Sequence, residues 1–429
     1  MPRVILVSID GLASFYWSDP RARMPTLRAL AERGVVAERM ATVFPSTTWP
    51  SHVSLVTGVS PARHGVVGNS LLNRATHRAE DLTGDPIYDA PEILRVPTVY
   101  DRAHAAGLKT AAIDWPATRG APTLDFNLPF FKDQRVYETK TAPAVWAELT
   151  ALGYPVHRQG EWAQLPKRFL KDAMVADLAA HVVRRHTPDL LLVHFLCVDS
   201  FQHLFGPRSP EAYWAIEYVD GRLRDFLATL PRGELDDRTV LLVVSDHGFL
   251  PAEREIRVNV RLKQLGLLGI DGEPRPGGDV RFVSNHGVGY VYVLEVNPEL
   301  VLRNLRPELL QLEGVAHAWT AADYPALGLS IPSDNPHVGD LLLEAAPGYA
   351  FADDVTGPHV LGPPRYLGTH GQSPAHPDLG AFFLAVGPGI RRGLTVPAIS
   401  SLDVAPTIAH LLDIEMGPIE GRVLSEILA

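Results

Sequence analysis

Val4-Ile5-Leu6-Val7-Ser8-Ile9-Asp10-Gly11 begins as an almost unbroken apolar run and closes on a carboxylate and a glycine. A short continuous run of this kind predicts a strand covered on both faces, as in a parallel sheet. Ligands of open α/β sheets collect beyond the carboxyl ends of the strands. Asp10 therefore stands where chemistry is expected, although a turn residue would look the same locally. The pattern recurs twice. Asp189-Leu190-Leu191-Leu192-Val193-His194-Phe195-Leu196 runs into Cys197-Val198-Asp199-Ser200-Phe201-Gln202-His203, and Thr239-Val240-Leu241-Leu242-Val243-Val244-Ser245 runs into Asp246-His247-Gly248. Such strands, alternating with helical patterns, predict a doubly wound, mainly parallel sheet flanked by helices.

The intervening segments fit that layout. Helices are expected after Pro25 to about Gly34, over 99–106, 172–185 and 213–230, and from Asp403 onward. Further strands are expected over 35–42, 109–113 and 379–386. Residues 115–170 are less regular and are expected to form helices and loops. From Phe249 to Arg365 the α/β alternation fades. There a Gly/Pro-rich turn near 271–279 precedes β-like alternation over 281–295, a helix over 301–312 and a strand-like stretch over 340–344. The organisation expected is a catalytic α/β domain built from 1–250 and 365–429, with a small α+β cap inserted as 251–364.

Composition narrows the function. The chain has 429 residues, 46% hydrophobic and 21% charged, with a formal net charge of -10. That charge argues against a nucleic acid duplex as partner. The single cysteine, Cys197, excludes an intramolecular disulfide and reads as a buried thiol. No apolar run reaches membrane-span length, so no membrane partner is expected. The N-terminal residues already read as core strand with no signal-like segment ahead of them, so a cytoplasmic location is expected.

A second stretch supplies the candidate nucleophile: Phe44-Pro45-Ser46-Thr47-Thr48-Trp49-Pro50-Ser51-His52. Thr48 stands at an apparent helix start, where free backbone N–H groups face an incoming anion; a simple helix cap is the local alternative. Asp10, Asp199, His203, Asp246, His247 and His370, the last in Gly368-Thr369-His370-Gly371, all fall at strand ends or adjacent loops. Asp199 and His203 are four apart and share a helix face. These are ligands that zinc and similar ions accept. Six of them plus an alcohol exceed one tetrahedral ion and suit two ions about 3.5–4 Å apart. His64 and His286 read as loop histidines, though His286 could line the site.

Taken together, Ile9-Asp10-Gly11, Phe44-Pro45 through His52, Thr57-Gly58 with Pro61 and His64-Gly65, Asp199 with His203 and Gly206-Pro207, Ser245 through Gly248, Thr369-His370-Gly371 and Asp403 through Thr407 resemble the nucleotide pyrophosphatase/phosphodiesterase family of the alkaline phosphatase superfamily. The likeness spans most of 1–250 and 365–429. It implies an alkaline phosphatase-like fold and two divalent cations, zinc or else manganese. It implies one cation on Asp199, His203 and His370, and another on Asp10, Asp246 and His247 beside Thr48 oxygen. It further implies hydrolysis of phosphodiester or nucleotide pyrophosphate bonds in a small-molecule substrate, through a phospho-threonine on Thr48. Trp49, Ser51 and Asn69 are the expected substrate-binding residues; Ser51 replaces the asparagine usual in relatives. A phosphomonoesterase or phosphonate hydrolase of the superfamily is the alternative, with Arg281 or Arg365 as its extra cations. A sulfatase would need Cys or Ser where this chain has Thr48.

Overall fold

The structure, a computed structural model, describes residues 2–83, 88–230, 235–268 and 279–429. Its centre is an eight-stranded sheet in the order Leu394–Val396, Gly34–Ala37, Phe383–Val386, Thr239–Val244, Arg3–Ile9, Leu190–Phe195, Thr110–Ile113, Phe126–Leu128. Only Phe383–Val386 runs antiparallel to its neighbours. Alternation along the first strand splits the core. Ile5, Val7 and Ile9 join Val175, Leu178 and Val182 of the helix Arg168–Arg185 and Val219 and Leu223 of the helix Pro210–Ala228. Val4 and Leu6 join Leu55, Tyr100 and Ile408 on the opposite face. Each such side chain, fully buried, contributes about 1.5–3 kcal/mol.

Register sets the active edge. Ile9 pairs with Phe195 and Ser8 with Val244, so the chain leaves all three central strands at one level. Asp10 and Asp246 follow directly, and Asp199 lies in the next helix, Cys197–Phe205.

Several expectations need correcting. The strand expected over 35–42 is two short ones, Gly34–Ala37 and Met40–Ala41. The break falls at Glu38-Arg39, where the Arg39 guanidinium turns to the carbonyls of Pro374 and His376. The irregular stretch after Trp115 adds an edge strand, Phe126–Leu128. The helix expected from Asp172 begins earlier, at Arg168. The core strand expected from 379 begins at Phe383, after a short 3-10 turn over Pro377–Leu379. The expected turn at 271–278 lies outside the described residues.

Between Thr239–Val244 and Phe383–Val386 the chain builds two further sheets. One is antiparallel, ordered Asp279–Asn285, Val288–Leu294, Leu341–Ala345, Val315–Thr320, with the helix Pro298–Leu310 against it. In the other, Leu250–Arg257 pairs with Gly348–Ala352, Leu361–Gly362 and Gly368–Thr369. The pair Leu250↔Thr369 brings the returning chain beside the departing one and delivers His370 to His247. Among the described residues no helix is long and apolar enough to cross a membrane.

Candidate active site

Two glycines make the carboxylate edge possible. Gly11 has φ +70, and a Cβ there would meet Phe249 and the Asp199 backbone at 3.0–3.1 Å. At Gly248 a Cβ would sit 2.1 Å from the Asp378 carbonyl oxygen. Both turns therefore press against neighbouring backbone, and the side chains before them face inward. Gly11 N–H donates to Asp246 Oδ1 at 3.0 Å and His247 N–H to the same oxygen at 3.1 Å. Asp246 is thus fixed through one oxygen.

Asp10, Thr48, Asp199, His203, Asp246, His247 and His370 are all buried and converge. Thr48 begins the helix Thr48–Thr57, and its Oγ1 lies 3.5 Å from His247 Nε2. His203 Nε2 is 3.2 Å from Asp199 Oδ1, one helical turn away, and His370 Nε2 is 3.8 Å from the same oxygen. His247 Nε2 is 3.2 Å from Asp246 Oδ2 and 3.4 Å from Asp10 Oδ1.

The tautomers follow from the other ring nitrogens. His203 Nδ1 donates to the Gly368 carbonyl at 2.9 Å, His247 Nδ1 to Gly248 at 3.0 Å and His370 Nδ1 to Ser46 at 3.1 Å. A carbonyl only accepts, so each neutral ring carries its proton on Nδ1 and turns an Nε2 lone pair inward. Those lone pairs meet carboxylate oxygens that also lack donors: Asp10 Oδ1, Asp199 Oδ1 and Asp246 Oδ2 are buried without a hydrogen-bond partner. Burial, then the Asp246 and Asp199 carboxylates, raise the Asp10 pKa well above its usual range. Lone pairs facing lone pairs in a desolvated pocket are satisfied by a cation between them. The residues present fit divalent cations, and ligand atoms of Asp10, Asp246 and His247, and of Asp199, His247 and His370, fall into groups compact enough to hold one.

Outer contacts hold this arrangement. His52 Nδ1 donates to the Thr48 carbonyl at 2.8 Å while its Nε2 accepts from Ser8 Oγ at 2.9 Å; burial pushes its pKa down to about 3. His194 Nε2 stands 3.1 Å from Asp10 Oδ2, and its Nδ1 donates to the Asp114 carbonyl at 3.0 Å. Lys171 Nζ lies 2.9 Å from Asp114 Oδ2, both fully buried.

A cavity of about 510 Å³ opens above these groups, lined by Asp10, Thr48, Asn69, Asp199, His203 and His370 among others. Of the three residues expected to bind substrate, Asn69 alone lines it. The Trp49 indole joins an apolar cluster with Phe44, Val67 and Tyr290, and the Trp49 backbone N–H donates to Asn69 Oδ1 at 2.9 Å. Ser51 is wholly buried outside the cavity, and its N–H is given to the Thr47 carbonyl at 3.1 Å. The helix start therefore has fewer free donors than its sequence implied. Arg281 is paired with Asp279 at 2.7 Å, away from the cavity, whereas Arg365 lines it. His64 is a buried structural histidine: Nδ1 accepts from Val66 N–H and Nε2 meets Ser54 Oγ at 3.0 Å.

Two cavity cations, Arg168 and Lys132, had no sequence signal, while His286 lines the cavity as its sequence reading allowed. Arg168 Nη1 reaches Ser200 Oγ at 3.1 Å and Asp199 Oδ2 at 3.4 Å. Lys132 Nζ pairs with Asp81 Oδ2 at 3.2 Å. His286, read as a loop residue, sits at the tip of the hairpin joining Asp279–Asn285 to Val288–Leu294 and enters the cavity. Lys132 follows only the short edge strand Phe126–Leu128 and Arg168 opens a helix, and nothing in the spacing of either cation marked it; His286 comes from the sheet outside the main fold.

Comparison with known proteins gives a consistent result. The family model described as type I phosphodiesterase / nucleotide pyrophosphatase matches residues 4–373. An uncharacterized pyrophosphatase/phosphodiesterase of Schizosaccharomyces pombe is 24% identical over 426 residues, covering 97% of this chain and 78% of that protein. Human ectonucleotide pyrophosphatase/phosphodiesterase family member 5 is 24% identical over 428 residues, covering 98% and 76%. Among solved structures, murine family member 5, as an inactive threonine-to-alanine variant in complex with AMP, superposes with a TM-score of 0.76 at 20% identity, covering 100% of both chains. That likeness establishes an alkaline phosphatase-like fold.

Proposed function

The chain belongs to the type I phosphodiesterase / nucleotide pyrophosphatase family, and from that membership we propose that it cleaves phosphodiester or nucleotide pyrophosphate bonds through a phospho-threonine on Thr48. The observation that carries this reading is the meeting of three imidazole lone pairs with three orphaned carboxylate oxygens beside Thr48 Oγ1. Asp199, His203 and His370 would hold one cation; Asp10, Asp246 and His247 would hold the other. Nitrogen and oxygen donors without a thiolate suit zinc, with manganese compatible. Bound cations would lower the pKa of the adjacent alcohol and offset charge on the reacting phosphoryl group.

Thr48 Oγ1 gives its proton to solvent and attacks phosphorus. The Oγ1–P bond forms as the bond to the leaving oxygen breaks, and that oxygen takes a proton from water. Water then displaces Thr48 from phosphorus and returns its hydroxyl. Asn69, whose Oδ1 is anchored by Trp49 N–H, turns its NH2 to a non-bridging oxygen. AMP in the murine relative supports a nucleotide as the substrate class, and the inactivity of that threonine variant supports an essential threonine.

A second reading, a phosphomonoesterase or phosphonate hydrolase, is favoured by one observation: Arg168 and Lys132 line the cavity and offer charge to a dianionic end group. Rates on bis(4-nitrophenyl) phosphate and 4-nitrophenyl phosphate separate the two. The diester is expected to turn over faster, and Thr48→Ala to reduce turnover by at least about 10³-fold. Retained activity in that variant removes Thr48 from the role.

A further inference from the structure

We propose that His286, carried by the hairpin outside the main fold, is a fourth protein ligand to the cation held by Asp199, His203 and His370. The inference rests on the two-cation reading above and adds a residue to it. His286 has φ +65, a conformation costly for a residue with a side chain. Neighbouring chain holds it there: the His286 carbonyl accepts from Phe351 N–H at 2.8 Å, and Gly287 N–H donates to the His370 carbonyl at 2.7 Å. Asn285 Oδ1 accepts from the N–H groups of Asn69 and Ser70 at 2.7 and 2.9 Å. The hairpin tip is thus bolted to the chain on both sides of the site.

Ring geometry decides what the imidazole does there. With metal–nitrogen distances of about 2.0–2.1 Å, imidazoles radiating from one ion at tetrahedral angles have ring centres about 5 Å apart. The three centres here lie 5.1 Å apart for His203 and His370, 4.7 Å for His203 and His286, and 4.5 Å for His286 and His370. One nitrogen from each falls within a group that could take a metal. His247 and His370 lie closer than that spacing and nearly parallel, 3.7 Å between ring centres and 9° between planes. A fourth protein donor would fasten this cation to the hairpin.

The test uses metal-free full-length protein. Asn and Gly both tolerate positive φ, so His286→Asn and His286→Gly keep the hairpin; far-UV circular dichroism of the metal-free proteins checks this. Cobalt(II) is titrated in competition with a chromophoric chelator while the visible cobalt band is recorded. The wild type is expected to bind two ions. Both variants are expected to hold one of the two about 10–100-fold more weakly and to show a changed cobalt band, partly restored by free imidazole. Two ions with wild-type affinity and an unaltered band in a folded variant overturn the role of His286. Fewer than two ions in the wild type overturn the two-cation reading itself.

Discussion

Asp246 Oδ2 and His247 Nε2 face each other at 3.2 Å with no proton to share. The ring proton is committed to the Gly248 carbonyl, and the carboxylate has no donor on that oxygen. Without metal this is a repulsive contact. Asp246→Asn keeps Oδ1 for the two backbone N–H groups and offers an amide N–H to the ring. Metal-free Asp246→Asn is therefore expected to be more stable than metal-free wild type by about 1–3 kcal/mol, with the order reversed once zinc is added. Urea unfolding of chelator-treated and zinc-loaded protein measures both. A metal-free variant weaker than wild type contradicts the tautomer assignment.

Metal removal is expected to act on stability as well as activity. Cations that bind only the folded chain stabilise it by about 4 kcal/mol per site at a thousandfold excess over Kd. Chelation should lower Tm and abolish diester cleavage, and zinc or manganese should restore both. An unchanged Tm after complete removal counts against a metal centre.

Acid sensitivity is expected from His64, which burial pushes down to about 3. The folded chain keeps this ring neutral, while the unfolded chain protonates it near its ordinary pKa of about 6.5. The depressed folded value means stability is full above that pH and falls as pH drops toward 3. One such group adds about 1.4 kcal/mol per pH unit to the slope. His64→Gln should be less stable at pH 8 yet lose less between pH 6 and 4. Unfolding curves at four pH values decide, and an unaltered slope refutes it.

Lys171 and Asp114 form an ion pair with no exposure. Removing one partner strands a buried charge, so Lys171→Met is expected to cost about 3–5 kcal/mol. Lys171→Met with Asp114→Asn should recover most of that, since Asn tolerates the φ of +58 at position 114. Denaturant unfolding of the two single variants and the double variant tests the coupling; additive losses would show the pair to be independent.

The strands that build the active edge were legible because each is a continuous apolar run ending in Asp. Their register then gathers Asp10, Asp199 and Asp246, which no local pattern states but parallel pairing enforces. Thr48 was legible from its place before Pro50 at a helix start. The side chains of Trp49 and Ser51 lie outside the cavity because helix phase, invisible in four residues, turns them into the core. Arg168 and Lys132 escaped notice because they reach the cavity from surface-like stretches through tertiary packing. His286 was legible as a loop residue that could line the site, but not its partners, because its hairpin meets the site only after the sheet carrying it has docked.

The three inward-facing rings are each steered by a main-chain carbonyl rather than by an acidic side chain. No codon specifies those carbonyls. A mutational scan would thus find no side-chain partners that aim these three histidines, and covariation would be equally silent. Transplanting the seven side chains onto another scaffold would carry the donors across without their alignment, unless the turns at Ser46, Gly248 and Gly368 travelled too.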